Sequence, residues 1–371
     1  MPPSFVVVTG CTQGLGYHAV REILKATPPD TRVVMACRNV VGARTAAQTL
    51  AKDSGADLAR LVVLDEPLVL TELAAVRTFA HALRAHLASA GAPHGITAIV
   101  NNAGLGGRAT YGTSAQGFEE IFATNHLGHF LLTLLLLPAS AAAAGAPLRI
   151  VNVSSEVHDP ANKAPLPDPS QSWPTTEEEY DRVLARGEAL PGEDDRTSGG
   201  RRYSRSKLCN VFFTNELARR MSGATPFGVS DDVATALANV PNPGCSLPGA
   251  KSTEALAFNP GLMLDTGFFA AMMGRAAGTL MWLLTPVLRF TPMGNFLRSG
   301  VSSGAVLAKV ATGPLPAPST AVFYDGPKIK ASSEFSRSLA AVTRYQEELW
   351  AHSVRWSGVT QAELAEAGFA P

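Results

Sequence analysis

The chain has 371 residues, of which 46% are hydrophobic, and its 31 basic side chains equal its 31 acids. That apolar content argues against disorder, and the balanced charge offers no field for nucleic acid or anionic lipid. Cys11, Cys37, Cys209 and Cys245 form no C-x-x-C pair, which fits reduced thiols and a cytoplasmic location. In chain order, SFVVVT reads as a buried strand starting by about Phe5, leaving no room ahead of it for a signal peptide. TRVVMAC, RLVVLD, ITAIVNN and LRIVNVSS repeat the pattern, LAFNPG adds a sixth strand and AVFYD a seventh. Short continuous apolar runs suit parallel strands covered on both faces. Between them lie helical stripes, Leu15–Ala19–Ile23 in one and Leu73, Val76, Phe79, Ala80, Leu83 and Leu87 in another. The alternation predicts one α/β domain over residues 1–371, Rossmann-type and doubly wound, with a seven-stranded, mainly parallel sheet. A last helix is expected from about Glu334 to Val354.

Two regions interrupt the rhythm. Residues 156–200 and 222–251 are rich in Pro and Gly and read as surface insertions, the first a candidate lid. The apolar stretch 268–290 is broken by Arg275, two glycines and Pro286, so it reads poorly as a spanning helix. A pocket wall, an oligomer contact and a surface lying on a membrane are the readings it allows, the first two ahead of the third.

TGCTQGLG joins the first strand to the first helix. Backbone N–H groups converge at such a turn and the helix dipole adds positive charge, so it suits an anion. The spacing is G-x-x-x-G-x-G through Gly10, Gly14 and Gly16; Thr12, Gln13 and Leu15 fill the rest of the turn. A tight corner with no ligand is the alternative. At the end of the second strand, MACRN carries Arg38 where an NAD-binding fold would carry an acid. A guanidinium suits a 2′-phosphate, which favours NADP(H). Asp65 suits the adenine ring or a helix cap.

YSRSK sets Tyr203 and Lys207 four apart, on one helix face. An ammonium beside a phenol is expected to bring its pKa toward the working range. Alone, such a pair is commonly surface decoration; it gains meaning beside a hydroxyl donor. Ser154 and Ser155 provide that donor at the end of the fifth strand, where ligands bind in such sheets. Asn125, in FATNHLGHF, suits a helix anchor or a water relaying protons to Lys207.

TGCTQGLG, NNAG, TNHLGH, VNVSS, YSRSK and NPG stand in the order of the short-chain dehydrogenase/reductase family, and the chain resembles it over nearly its whole length. The glycine spacing resembles the branch set apart from the extended epimerases. The resemblance implies Tyr203 as acid–base, Lys207 beside it on the nicotinamide ribose, and Ser155 orienting the carbonyl. It also implies Asn125 as the helix asparagine, Asn102, Ala103 and Gly104 on the adenosine side, and Pro260, Gly261 and Thr266 around the nicotinamide. MACRN, GFEEIFATNHLGHFLL, YSRSKLCNVFFTNEL and the tail from VFYDG to HSVRW look like light-dependent protochlorophyllide reductase and its retinol-dehydrogenase-like neighbours. That reductase has a cysteine after the Pro-Gly; here Leu262 stands there. The expectation is therefore a dark hydride transfer with NADP(H) on a bulky apolar carbonyl or alcohol. Candidate substrates are a polyketide, a terpenoid or a retinoid-like aldehyde, held by residues 262–300. A photoenzyme and a non-catalytic NADP(H) sensor are the alternatives, and homo-oligomerisation stays open.

His126 and His129 read as helix-packing residues, since no acid or cysteine cluster completes a metal site. His158 lies near the presumed cleft as a candidate substrate contact. Cys11 and Cys209 read as small buried hydrophobes. No G-x-S-x-G elbow occurs, which speaks against serine hydrolysis.

Overall fold

The computed structural model describes residues 3–107, 111–162, 173–189, 198–268, 280–288, 290, 294 and 296–370. Parts of the first insertion (163–172 and 190–197) and of the apolar stretch (269–279 and 289) lie outside the described residues.

The strands are β1 (Ser4–Thr9), β2 (Thr31–Ala36), β3 (Leu61–Val62), β4 (Ile96–Asn101), β5 (Arg149–Val153), β6 (Glu254–Asn259), β7 (Val322–Asp325) and β8 (Lys328–Lys330). They form one sheet in the order β3-β2-β1-β4-β5-β6-β7-β8. All pairs are parallel except β7–β8, which is antiparallel. The strand order reverses between β1 and β4, opening a crevice at the carboxyl edge. The sheet thus has eight strands and not seven. The extra one, Lys-Ile-Lys after the Gly326 turn, is too short and too charged to read as a strand; its lysines suit an exposed edge.

Side chains alternate across the sheet. Val6 and Val8 face α1 (Gly14–Ala26) and α2 (Val40–Ser54), whereas Phe5 and Val7 face α3 (Leu73–Ser89). The Phe5 face is also covered by α4, the run Glu120–Ala139 with a π turn at Ala123–Leu127, and by α5 (Ser198–Ser222). The run α4 is long and apolar enough to cross a membrane, but 89% of its apolar window is buried inside the fold. That is how a core helix behaves.

The expected last helix is broken. A 3-10 turn at Phe335–Arg337 is followed by Ser338 in extended backbone, a π turn at Ala341–Tyr345 and an α-helix at Gln346–Ser357. Ser338 breaks it because an extended residue interrupts the i→i−4 ladder. The described parts of the insertions are tied into the body. Trp173 and Tyr180 are buried, with the indole donating to the Tyr180 hydroxyl at 3.0 Å and that hydroxyl donating to Glu348 at 2.9 Å. The helix Asp231–Ala238 packs Val233 and Leu237 on Val342, and Ser246 donates its N–H to Gly368 at 2.7 Å.

Candidate active site

The glycine turn leaves β1 at Thr9, whose hydroxyl accepts the N–H groups of Asn102 and Ala103, each at 2.9 Å. The Asn102 amide returns two donations, to the carbonyls of Thr9 at 2.8 Å and Gly10 at 3.1 Å. The ends of β1 and β4 are therefore laced together through one hydroxyl and one amide. Gly10 has φ +65° and a Cβ there would lie 2.8 Å from Ala103 Cα. Only glycine fits that position. Gly14 has φ +60°, and a Cβ there would face Thr266 at 3.7 Å. Gln13 occupies the N-cap of α1 without a side-chain cap, so the first amides of the helix stay available to a ligand. Leu15 and Gly16 are buried, Leu15 in the core under the sheet, while Thr12 is half-buried and Gln13 exposed.

Arg38 follows β2, is exposed, and among the described residues has no hydrogen-bond or ion-pair partner. Asp65 lies beyond the end of β3 in a bend; its exposed carboxylate pairs with Arg44 of α2 and caps no helix.

At the other end of the edge, Tyr203 and Lys207 lie one turn apart on α5. The Lys207 ammonium sits 5.5 Å from the centre of the Tyr203 ring. The Ser155 side chain lies beside the Tyr203 hydroxyl and pulls its pKa down. Ser154 is used differently: it is buried and donates to the Lys207 carbonyl at 2.8 Å, pinning β5 to α5. Ser155 also accepts the Val157 N–H at 3.5 Å. Lys207 Nζ and the Asn210 amide both donate to the Val153 carbonyl, at 3.0 and 3.1 Å.

Burial governs the protonation of this cluster. It pushes the Tyr203 phenol up to about 12, with the Ser155 side chain pulling the other way, and pushes Lys207 down to about 7. The expectation that the ammonium lowers the phenol is not met here. Lys207 is too costly to hold charged in this interior, and its head points at a carbonyl.

Asn125 sits in the π turn of α4, a distortion that recurs at functional sites. Its Oδ1 accepts the Leu105 N–H at 2.7 Å; its Nδ2 donates to the Leu105 carbonyl at 3.0 Å and to Ser206 Oγ at 2.9 Å. A Cβ on Gly104 would lie 3.1 Å from Asn125 Oδ1 and 3.6 Å from Lys207 Nζ, so these three residues converge. Asn125 is thus a helix anchor and also a neighbour of Lys207.

Pro260 and Gly261 follow β6. Ser303 donates to the Pro260 carbonyl at 2.7 Å, and Gly261 N–H donates to Asn259 Oδ1 at 3.1 Å. Asn259 in turn donates to Asp325 at 3.0 Å, and Arg298 grips Asp325 at 2.7 Å. Thr266 donates to the Met263 carbonyl at 3.1 Å and abuts Gly14, which joins this loop to the glycine turn.

The three histidines are structural. His126 bonds Ser353 at 2.9 Å, and His129 bonds Thr9 at 2.9 Å. His158, a candidate substrate contact in the sequence, is buried between Ser155 and Ser333: Nδ1 lies 2.7 Å from the Ser155 carbonyl and Nε2 accepts the Ser333 N–H at 3.1 Å. Both ring nitrogens are engaged by the backbone. Sequence reasoning missed Asn210, although it lies three residues past Lys207 on the same face. It also missed the buried relay behind the edge, in which Asn101 donates to Asn152 at 2.8 Å and to Thr133 at 3.0 Å, and Asn152 donates to Thr214 at 2.9 Å. Asn residues inside strands carry no local signal of a cross-strand partner.

A short chain dehydrogenase profile matches residues 4–163. Human retinol dehydrogenase 12 is 35% identical over 223 residues, 60% of this chain and 58% of that protein. Human retinol dehydrogenase 13 is 28% identical over 369 residues, 99% of this chain and 88% of that one. Residues 4–163 thus match the short chain dehydrogenase pattern, and the chain is similar to retinol dehydrogenases. The match to retinol dehydrogenase 12 thus spans less than two thirds of that relative's length. A crystal structure of an uncharacterized protein from Mycobacterium paratuberculosis aligns over 96% of this chain and 95% of its own, at 25% identity and a TM-score of 0.57.

Proposed function

We propose that the protein is an NADP(H)-dependent oxidoreductase acting on a carbonyl or alcohol of a bulky apolar small molecule. The carrying observation is the juxtaposition of Tyr203 and Ser155, with Lys207 against the same ring, beside a glycine turn built for a phosphate. The turn fits the cofactor: Gly10 leaves no room for a Cβ, and the uncapped start of α1 offers free amides. Arg38, exposed at the end of β2, suits the 2′-phosphate. Asp65 is available to the adenine side only by releasing Arg44. Asn102, Ala103 and Gly104 would line the adenosine side, and Pro260, Gly261 and Thr266 the nicotinamide side. The bound nicotinamide supplies or accepts the hydride.

The chain's own residues handle the proton. Tyr203, held protonated by burial, donates to the carbonyl oxygen as charge develops there, and Ser155 orients that oxygen from the other side. Lys207, with its pKa near neutrality, recharges the phenol, and Asn125 and Asn210 keep Lys207 in place. Phe268, whose ring lies 5.9 Å from that of Tyr203, supports an apolar substrate. The exposed Leu280, Trp282, Leu283 and Val287 extend the same character. The human relatives, named for an apolar alcohol, point the same way. The test is NADPH consumption in the dark with a panel of apolar aldehydes and ketones. Turnover on at least one is expected, and Tyr203→Phe should keep NADPH binding while losing turnover. Firm NADPH binding with no turnover on any member would favour a sensor.

A further inference from the structure

Cys11 and Cys37 are far apart in sequence and meet beneath the glycine turn, with sulfurs 3.5 Å apart. Both are free thiols. Cys11 lies inside the turn, between Gly10 and Thr12; Cys37 directly follows β2 and precedes Arg38. We propose that Cys11 and Cys37 form a redox-modifiable pair that a peroxide converts to a disulfide, and that this bond weakens nucleotide binding by the turn. The second half rests on the nucleotide reading above; the thiol chemistry does not.

The two sulfurs are not equivalent. Cys11 is fully buried, and the Val8 carbonyl, 3.3 Å from its sulfur, is the alternative acceptor for its one proton. Cys37 is also buried, but at 6% relative exposure it is the sulfur nearer to solvent. The hydrogen bond from Cys11 holds the Cys37 thiol below its usual range; burial opposes this, and the backbone N–H groups of Cys11, Gly10 and Thr12 reinforce it. Low pKa and access mark a sensor thiol, and an adjacent second thiol resolves it. The Cys37 thiolate attacks hydrogen peroxide, the O–O bond breaks, and with one proton taken up Cys37 becomes a sulfenic acid and water leaves. The Cys11 sulfur then attacks the Cys37 sulfur, the S–O bond breaks, and the Cys11 proton leaves with the hydroxide as a second water. Two thiols are oxidised and one peroxide is reduced.

Closing the bond brings the sulfurs from 3.5 Å to about 2 Å. The β2 end has little freedom, since Gly10 donates to the Ala36 carbonyl at 3.0 Å and Leu68 donates to the Cys37 carbonyl at 3.1 Å. The displacement therefore falls on the turn at Cys11, the feature assigned to the nucleotide phosphates. By linkage, bound nucleotide must slow disulfide formation in the same measure as the disulfide weakens binding.

The experiment treats the full chain with hydrogen peroxide, quenches in acid, alkylates under denaturing conditions and maps the peptides. NADPH affinity is measured before and after oxidation and after reduction with dithiothreitol. The expected result is a Cys11–Cys37 disulfide, slowed by NADPH, with affinity falling about tenfold and returning on reduction. In Cys11→Ser the reaction stops at a Cys37 sulfenic acid that a nucleophilic dione traps. In Cys37→Ser neither product forms, and peroxide leaves that variant's own NADPH affinity where it was. Alkylation of both Cys11 and Cys37 after peroxide would overturn the proposal. A disulfide that leaves NADPH affinity unchanged would overturn its second half. No NADPH binding by the reduced protein would reject the nucleotide reading, and the disulfide map would still decide the first half.

Discussion

The two ends of the sheet's carboxyl edge are held by different means. At the β1–β4 end the scaffold is backbone, one hydroxyl and one amide: Thr9 and Asn102 lace the strands, and Gly10 packs on Ala103. At the β5–β7 end it is side chains from distant segments. Arg298, Asp325 and Asn259 hold the Pro260–Gly261 turn, and Ser154 and Asn210 hold β5 on α5. The first end has its shape set by glycine positions, so it should bind much the same group in any sequence that keeps them. The second end depends on buried polar partners, so single substitutions there should cost both stability and turnover.

The largest effect is expected at the far end of α5, the helix carrying Tyr203 and Lys207. Glu216 is buried there and accepts from Arg219 at 2.7 Å and Arg220 at 2.6 Å. Glu216→Gln leaves two buried cations without their carboxylate and should cost about 3 kcal/mol or more in urea unfolding. A cost below that of a surface substitution would mean this end does not rely on its ion pairs. Next, Lys207→Met should lower turnover about a hundredfold, because the recharging group is gone. Its pH profile should also lose the limb near neutrality that Lys207 contributes. An unchanged profile would remove Lys207 from proton transfer.

At the nucleotide end, Arg38→Asp should leave unfolding unchanged and move the preference toward NADH about tenfold. A constant NADPH-to-NADH ratio would show that the 2′-phosphate is read elsewhere. Stability against pH, which needs no substitution, is a separate test. Burial pushes His126 down to about 3 and His129 down to about 4, against an ordinary 6.5. Between about pH 6.5 and pH 4 the unfolded chain takes up protons that the folded chain refuses. Stability therefore falls as pH falls through that window, by up to about 1.4 kcal/mol per pH unit for each histidine. Urea midpoints across the window should show this slope, and His129→Gln should flatten it by about half. A flat profile in the parent protein would contradict the buried, neutral state of both rings.

The nucleotide end was the more legible in sequence for the same physical reason. A glycine turn, a strand of apolar residues and Arg38 after Cys37 are local patterns, and each folds as its own neighbourhood dictates. Tyr203 and Lys207 were legible because helical spacing alone puts them on one face. The pull of Lys207 on the phenol was misjudged, because spacing says nothing of how deeply both groups are buried. Asn101, Asn152 and Thr214 meet only through strand order and helix docking, and no short window of sequence contains them together. His158 faced the wrong way for the same reason: its partner Ser333 lies 175 residues away. The edge strand β8 was hidden by its lysines, and the last helix by Ser338, which favours extended backbone where the apolar pattern continues.

The most direct measurement follows one atom. NADPH carrying deuterium at the transferable position is incubated with the protein and an apolar aldehyde that it turns over, and the product is read by mass spectrometry. The account predicts deuterium on the new carbinol carbon, and none when Tyr203 is replaced by Phe under the same nucleotide saturation. Label that stays on the nucleotide while product forms, or equal transfer by Tyr203→Phe, would contradict it.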